Sequence, residues 1–269
     1  MTAFSAEWLA LREPYDLRAR NPNVLAALAD AVADRAALAI VDLACGAGST
    51  LRAIAPHLAP AQSWRLVDND PGLLARAAAL LPIGTKNATA VPVDIARELE
   101  TALAEPVDLV TTSALLDLVS ADWLVLLANG IAGRGLLIYA ALTYDGSVTF
   151  APADAFDATI VGAVNRHQRG DKGFGPALGP AAAAAAIARF EALGYAVVHG
   201  KSDWTLGPGD VDIQEALLTG WAEAARETGD LDSSDIEAWL VRRRENVAAC
   251  RSSISVGHTD FFARPTGVL

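Results

Sequence analysis

The chain has 269 residues, a length that suits one large α/β domain and would also permit two. Hydrophobic residues make up 52% of it, yet no uninterrupted apolar run approaches the roughly 20 residues that span a bilayer. A net charge of −11 weighs against nucleic acid as a partner, because phosphate binding needs a basic surface. Met1–Glu13 lacks a basic start followed by an apolar core, so it does not read as a signal peptide. Cys45 and Cys250 are too few for a disulfide framework and lack metal-ligand spacing, so no metal is expected. The expected compartment is the cytoplasm.

In chain order, residues 1–35 read as one or two helices with Asn21-Pro22 between them, a cap ahead of the main fold. From residue 38 onward, apolar runs alternate with amphipathic stretches, the pattern of a parallel sheet wrapped by helices. The expected strands are 38–42, 63–67, 88–93, 107–111, 134–142, 195–203 and 254–263. The expected helices are 49–58, 71–81, 95–104, 121–129, 180–193, 211–228 and 233–249. Asp70-Pro71 offers a cap and a first-turn proline, and Gly194 marks a helix end. The run Ala181–Ala186 is helix-forming. Arg242-Arg243-Arg244, flanked by Glu237 and Glu245, reads as a solvated helix face.

The most informative segment is Asp42-Leu43-Ala44-Cys45-Gly46-Ala47-Gly48. An apolar strand precedes it and a helical pattern follows. Glycine admits close approach of a ligand to the backbone, and a helix start presents unpaired N–H groups. A dinucleotide fingerprint needs a third glycine, and here that place holds Leu51. Asp42 would also set a negative charge near a pyrophosphate. A carboxylate suits a ligand bearing an ammonium or sulfonium better. An NAD-dependent oxidoreductase is therefore the alternative, and a non-catalytic cofactor-binding module is another.

The segment resembles the first motif of the Rossmann-like (class I) S-adenosylmethionine-dependent methyltransferases, acid-x-Gly-x-Gly-x-Gly, with Ala44 in place of the first glycine. The resemblance implies a doubly wound, seven-stranded, mostly parallel sheet with an antiparallel last strand. It also implies S-adenosyl-L-methionine as cofactor. Asp68, about 20 residues past the glycine turn, is placed to accept from both ribose hydroxyls, with Asn69 beside it. Asp70 competes for that role but reads better as a helix cap. By position, Asp94 matches the acid that reaches the adenine amino group, and Ile95 the residue that packs on the ring. The cap of the following helix is an equal reading of Asp94. Ser113 and Asp117 lie past the fourth strand, where ligands collect in open α/β sheets. In many members of the family an N-terminal segment closes over the cofactor and an arginine pairs with the methionyl carboxylate; Arg20 is the candidate. These motifs cover about residues 38–143, so residues 36–143 form the cofactor half.

The acceptor, expected to be a small molecule, is left to the remaining chain. Residues 144–180 read as a glycine- and proline-rich insert over the substrate, ahead of the C-terminal half of the sheet, 181–269. Within the insert, Asn165–Pro176 is a dense polar cluster. His167 is the candidate base there, with Arg169 or Lys172 pairing an anionic substrate group. Asp117 is a second catalytic candidate. Trp204 either walls the pocket or covers a core edge. His57, His199 and His258 read as structural. The oligomeric state is not specified by the sequence.

Overall fold

The computed structural model describes residues 5–58, 61–82, 87–104 and 106–267. Two helices come first, α1 (Ala6–Ala19) and α2 (Pro22–Val32). The Asn21 side chain caps α2 by accepting from the Asn23 and Val24 N–H groups, and Pro22 supplies the first turn. Next come β1 (Ala37–Leu43), α3 (Ser49–Ile54), β2 (Ala61–Asp68), α4 (Pro71–Ala79) and β3 (Ala88–Pro92). They lead to α5 (Leu99–Ala102), β4 (Leu109–Ser113), α6 (Ala121–Ala132) and β5 (Leu137–Ala151). The rest comprises α7 (Asp157–His167), α8 (Ala182–Ala192), β6 (Tyr195–Lys201), β7 (Trp204–Leu206), α9 (Val211–Thr228), α10 (Ser233–Ala248) and β8 (Ser253–Pro265).

The sheet has eight strands in the order β3-β2-β1-β4-β5-β8-β6, with β7 paired to β8. β1 to β5 are parallel, and β8 enters antiparallel between β5 and β6. Strand order reverses between β1 and β4, and the carboxyl ends of those strands form the crevice where such sheets bind ligands.

β1 shows why both sheet faces are covered. Val41 and Leu43 pack into the core under α6 and α8, while Leu38 and Ile40 face the core under α2 and α3. Leu51, the residue that replaces a glycine of the dinucleotide pattern, is fully buried in that second core. A third core lies beyond the extended end of β5, between α7, α9, α10 and β7, and α1 lays Trp8, Leu11 and Tyr15 against it.

Four expectations are corrected. The helix expected at 95–104 is only Leu99–Ala102, because the Asp94 carboxylate turns the chain by accepting from the Ala96 N–H at 3.1 Å. The strand expected at 134–142 runs on to Ala151, so the first part of the 144–180 insert belongs to the sheet. Register shifts between Ala140 and Thr143 and between Tyr144 and Val148 carry it past Leu142, which adopts φ +55°. The strand expected at 195–203 stops at Lys201 and resumes as β7, making eight strands instead of seven. Between them the Asp203 carboxylate, not a backbone carbonyl, takes the His258 N–H at 3.0 Å. Finally, Arg243 is not on a solvated face. It is fully buried and pairs with Asp157, while Arg242 and Arg244 pair with Asp154 and Glu215.

Candidate active site

The glycine turn closes β1 onto β2. The Cys45 N–H donates to the Val67 carbonyl at 2.9 Å, and the Gly48 N–H donates to the Cys45 carbonyl at 2.8 Å. Ala44 stands at φ +51°, a left-handed conformation that explains why a glycine suits that place better. Gly46 is also left-handed, and a Cβ there would come within 3.2 Å of the Leu9 side chain of α1.

Asp68 ends β2 and braces the turn. One carboxylate oxygen accepts from the Gly46 N–H at 2.8 Å and the other from the Asp70 N–H at 3.0 Å. The Asn69 N–H bonds to the same carboxylate, which with about four lone-pair sites keeps room for a further donor. Burial pushes the Asp68 carboxyl above its ordinary pKa, against the pull of these N–H groups. Asp70 caps α4 through the Gly72 and Leu73 N–H groups.

Asp42 lies at the end of β1 with no exposed surface. Its Oδ1 accepts from the Thr111 hydroxyl at 2.8 Å, whereas its Oδ2 has no hydrogen-bond partner among the described residues. Burial pushes its pKa up to about 7. Arg20 follows α1 and reaches the same place. Its guanidinium donates to the Ser113 hydroxyl at 3.0 Å and to the Tyr139 hydroxyl at 3.4 Å, and its buried Nε has no partner among the described residues. Thr50 of α3 donates to Ser113 as well, at 3.0 Å. The structure thus brings Asp42, Ala44, Gly46, Gly48, Asp68, Ser113 and Arg20 to one edge of the sheet.

Asn69 follows Asp68 into the turn that α4 caps, and Asp94 sits past the end of β3, half-exposed and 3.6 Å from Arg97. Ile95 does not stand free beside the turn. Its side chain is buried in the main core, and its carbonyl accepts from the Trp123 indole at 2.9 Å.

Helix α1 roofs this edge. Arg52 of α3 donates from Nε and Nη2 to the two carboxylate oxygens of Glu13, at 2.6 and 2.7 Å, and from Nη1 to the Ala47 carbonyl. The recess left between α1 and α3, lined by Glu13, Asp16, Arg20 and Arg52, measures about 40 Å³. That is far below the roughly 300–1,000 Å³ of a ligand pocket, so α1 covers most of this edge.

Farther along the edge, Asp117 lies buried in a helical turn, its Oδ1 without a partner among the described residues. Burial raises its pKa to about 6. Tyr144 of β5, Trp204 of β7 and His258 of β8 gather beside it. The His258 ring lies 5.2 Å from that of Trp204 and 6.2 Å from that of Tyr144. The His258 Nδ1 is buried without a partner among the described residues, and burial, aided by the Arg12 charge, drives its pKa down to about 3. Trp204 donates from its indole to Asp16 at 3.1 Å.

The polar cluster around His167 begins beside this end of the sheet, where Asn165 accepts from the Tyr144 hydroxyl at 2.9 Å, but the His167 side chain itself finds its partners on α9 and in the loop after α7. The His167 imidazole pairs with Glu227 of α9 at 2.8 Å, and Lys172 lies 3.5 Å from its other nitrogen. Arg169 is exposed. The segment then returns to the start of α6, with Phe174 against the Trp123 ring at 5.1 Å and Ala177 bridged to Ser120. His258, Tyr144, Arg12 and Asp260 carry no motif in the sequence, since they converge from α1, β5 and β8. Asp260 accepts from the Leu142 N–H at 2.7 Å and from the Asn21 N–H at 2.9 Å, which ties the α1–α2 junction to the sheet.

No protein-family model and no curated protein matches the sequence. Solved structures match the fold. A candidate methyltransferase of Bacillus halodurans aligns with a TM-score of 0.51 at 15% identity, over 91% of this chain and 100% of its own. A cyclopropane-fatty-acyl-phospholipid synthase-like protein of Lactobacillus casei gives 0.51 at 14% identity, over 96% and 94%. The YcgJ protein of Bacillus subtilis gives 0.50 at 15% identity, over 92% and 100%. The fold is that of the Rossmann-like methyltransferases. At these identities the likeness is one of architecture: the β3-β2-β1-β4-β5 order, with a late antiparallel strand inserted beside β5. Among the described residues, no helix is long and apolar enough to cross a membrane, and no group of His, Cys, Asp and Glu is arranged to hold a metal.

Proposed function

We propose that the protein is an S-adenosyl-L-methionine-dependent methyltransferase acting on a small molecule. The observation that carries the reading is the fully buried Asp42 with an unpartnered oxygen, set beside Arg20, Ser113 and the Asp68-braced glycine turn. A buried, unpaired carboxylate oxygen is costly unless a donor or cation meets it. The ammonium of a methionyl group is such a partner, and the unpaired Nε of Arg20 suits the adjoining carboxylate. The remaining lone-pair room on Asp68 suits a ribose hydroxyl, and Asp94 suits an adenine amino group. Leu51, buried where a dinucleotide turn needs glycine, weighs against an NAD enzyme.

When bound, the sulfonium supplies a methyl group to a nucleophile in line with it. The chain then contributes alignment and dryness: the glycine turn and Asp68 fix the nucleoside, and α1 shuts water out. The acceptor belongs at the continuation of the edge, where Asp117 ends the β4 side and Trp204 walls the β7 side. A small acceptor suits that confined, largely buried edge, and the net charge of −11 disfavours nucleic acid. Titration calorimetry with S-adenosylmethionine and S-adenosylhomocysteine tests the cofactor; absence of heat with both removes the reading. Conversion to S-adenosylhomocysteine across a panel of metabolites separates an enzyme from a non-catalytic binding module.

A further inference from the structure

The acceptor end of the sheet edge already holds a cation, and that cation belongs to the protein. The Arg12 guanidinium of α1 lies 5.0 Å from the centre of the Trp204 ring and 5.9 Å from that of Trp8, within the range of cation–π attraction. It donates to both oxygens of Asp16, at 2.9 and 3.1 Å. The Trp204 ring it covers also lies 5.2 Å from that of His258, whose Nδ1, like Asp117 Oδ1, is buried without a partner among the described residues. The Arg12 charge bears on both, drawing Asp117 toward the ionised form and His258 toward the neutral one.

Arg12, Asp16 and Trp8 all ride on α1, which covers the edge, and on this reading α1 lifts to admit the nucleoside. Arg12 and Asp16 then leave as a neutral pair. What stays on the sheet is an aromatic wall, Trp204 and Tyr144, a neutral His258, and the buried carboxylate of Asp117, whose Oδ1 has no partner among the described residues. We propose that this place receives a cationic amine, its ammonium taking the position of the Arg12 guanidinium against Trp204 and Asp117. An anion is the poorer fit. Arg12 is neutralised by Asp16, and Lys201 by Asp145. The net charge of −11 also draws cations to the molecule.

This inference rests on the methyltransferase reading and names its acceptor class. In the transfer, the ammonium first passes a proton to the Asp117 carboxylate. The freed nitrogen lone pair then forms the bond to the methyl carbon, while the carbon–sulfur bond breaks and its electron pair stays on sulfur. The product is a methylated ammonium and a neutral thioether.

The test is binding of benzyltrimethylammonium to the full chain, followed by tryptophan fluorescence, with neopentylbenzene as its uncharged isostere and phenylacetate as its anionic counterpart. Arg12→Ala removes the resident cation, so the ammonium probe is expected to bind at least tenfold tighter than to wild type, with little change for the other two. Adding Asp117→Asn is expected to cancel that gain. Asp117→Asn alone weakens the probe on the wild-type background, and Arg12→Gln serves where Arg12→Ala does not fold. Equal binding of the isostere, tighter binding of phenylacetate, or indifference to Asp117→Asn overturns the proposal. Because the assay contains no methyl donor, a chain that binds S-adenosylmethionine but not the ammonium probe loses the acceptor class alone. The converse result removes the methyltransferase reading and the acceptor role with it, leaving an ammonium-binding site.

Discussion

A carboxylate without exposed surface is hard to ionise, and Asp42 has only one of its oxygens satisfied. Its pKa, raised to about 7 by burial, makes a cationic ligand compete with a proton for the same oxygen. Affinity for S-adenosylmethionine is therefore predicted to rise with pH, by up to about tenfold per unit below that pKa, and to level off above it. Calorimetry between pH 5.5 and 8.5 measures the slope, and Asp42→Asn should flatten it. A slope that persists in the variant assigns the proton to another group. Asp68 differs, because its oxygens brace the Gly46 and Asp70 N–H groups as well as facing the ribose position. Asp68→Ala is predicted to weaken the cofactor by about 1–3 kcal/mol, the worth of hydrogen bonds to a charged group. Unchanged affinity would take Asp68 out of the site.

Among the elements, α1 decides access. Its grip on α3 is the Glu13–Arg52 pair, two-pronged but part-exposed, which places its worth at roughly 1 kcal/mol or below. Glu13→Ala is thus predicted to speed cofactor association up to about fivefold while lowering the melting midpoint by no more than about 2–4 °C. Stopped-flow tryptophan fluorescence reads that rate, and an unchanged rate would mean α1 opens elsewhere or not at all. Elements differ in how far the sequence reveals them. The caps at Asn21 and Asp70 are legible because a helix start is a local event, with donor and acceptor two or three residues apart. The far half of β5 is hidden: Asp145-Gly146-Ser147 has the composition of a loop, and only pairing with Ser253–Val256 makes it a strand. Arg243 looks solvated until Asp157, 86 positions away, is packed against it. The cofactor end is legible for the first reason, each motif ending its own strand. The acceptor end is not, since α1, β7 and β8 bring it together from both ends of the chain. The partner of His167 is hidden for the same reason, as only the packing of α7 on α9 brings Glu227 to it.

At the scale of the whole molecule, the buried carboxyls set an unusual pH response. Asp42, Asp117, Asp68 and Asp260 all have pKa values raised by burial, the first two to about 7 and about 6. A carboxyl whose folded pKa lies above its unfolded value binds more protons when folded. Its contribution is therefore full below about pH 4 and is lost as pH climbs through the folded value. Asp154, lowered to about 2 by Arg242, has the opposite sign, but its contribution is lost only well below pH 4 and stays constant near neutrality. Self-repulsion at a net charge of −11 also grows with pH. The ligand-free protein is accordingly predicted to melt higher at pH 5.5 than at pH 8. A difference of about 2 kcal/mol over this interval is expected from a single carboxyl titrating near 7, or roughly 4–8 °C for a chain of this size. Saturation with S-adenosylmethionine supplies the cation that Asp42 lacks and should narrow the gap from the alkaline side. Scanning calorimetry at both pH values, with and without cofactor, makes the comparison. A midpoint that falls toward pH 5.5 in the ligand-free protein would show that these carboxyls ionise freely, and the case for a cationic ligand at Asp42 would lose its physical basis.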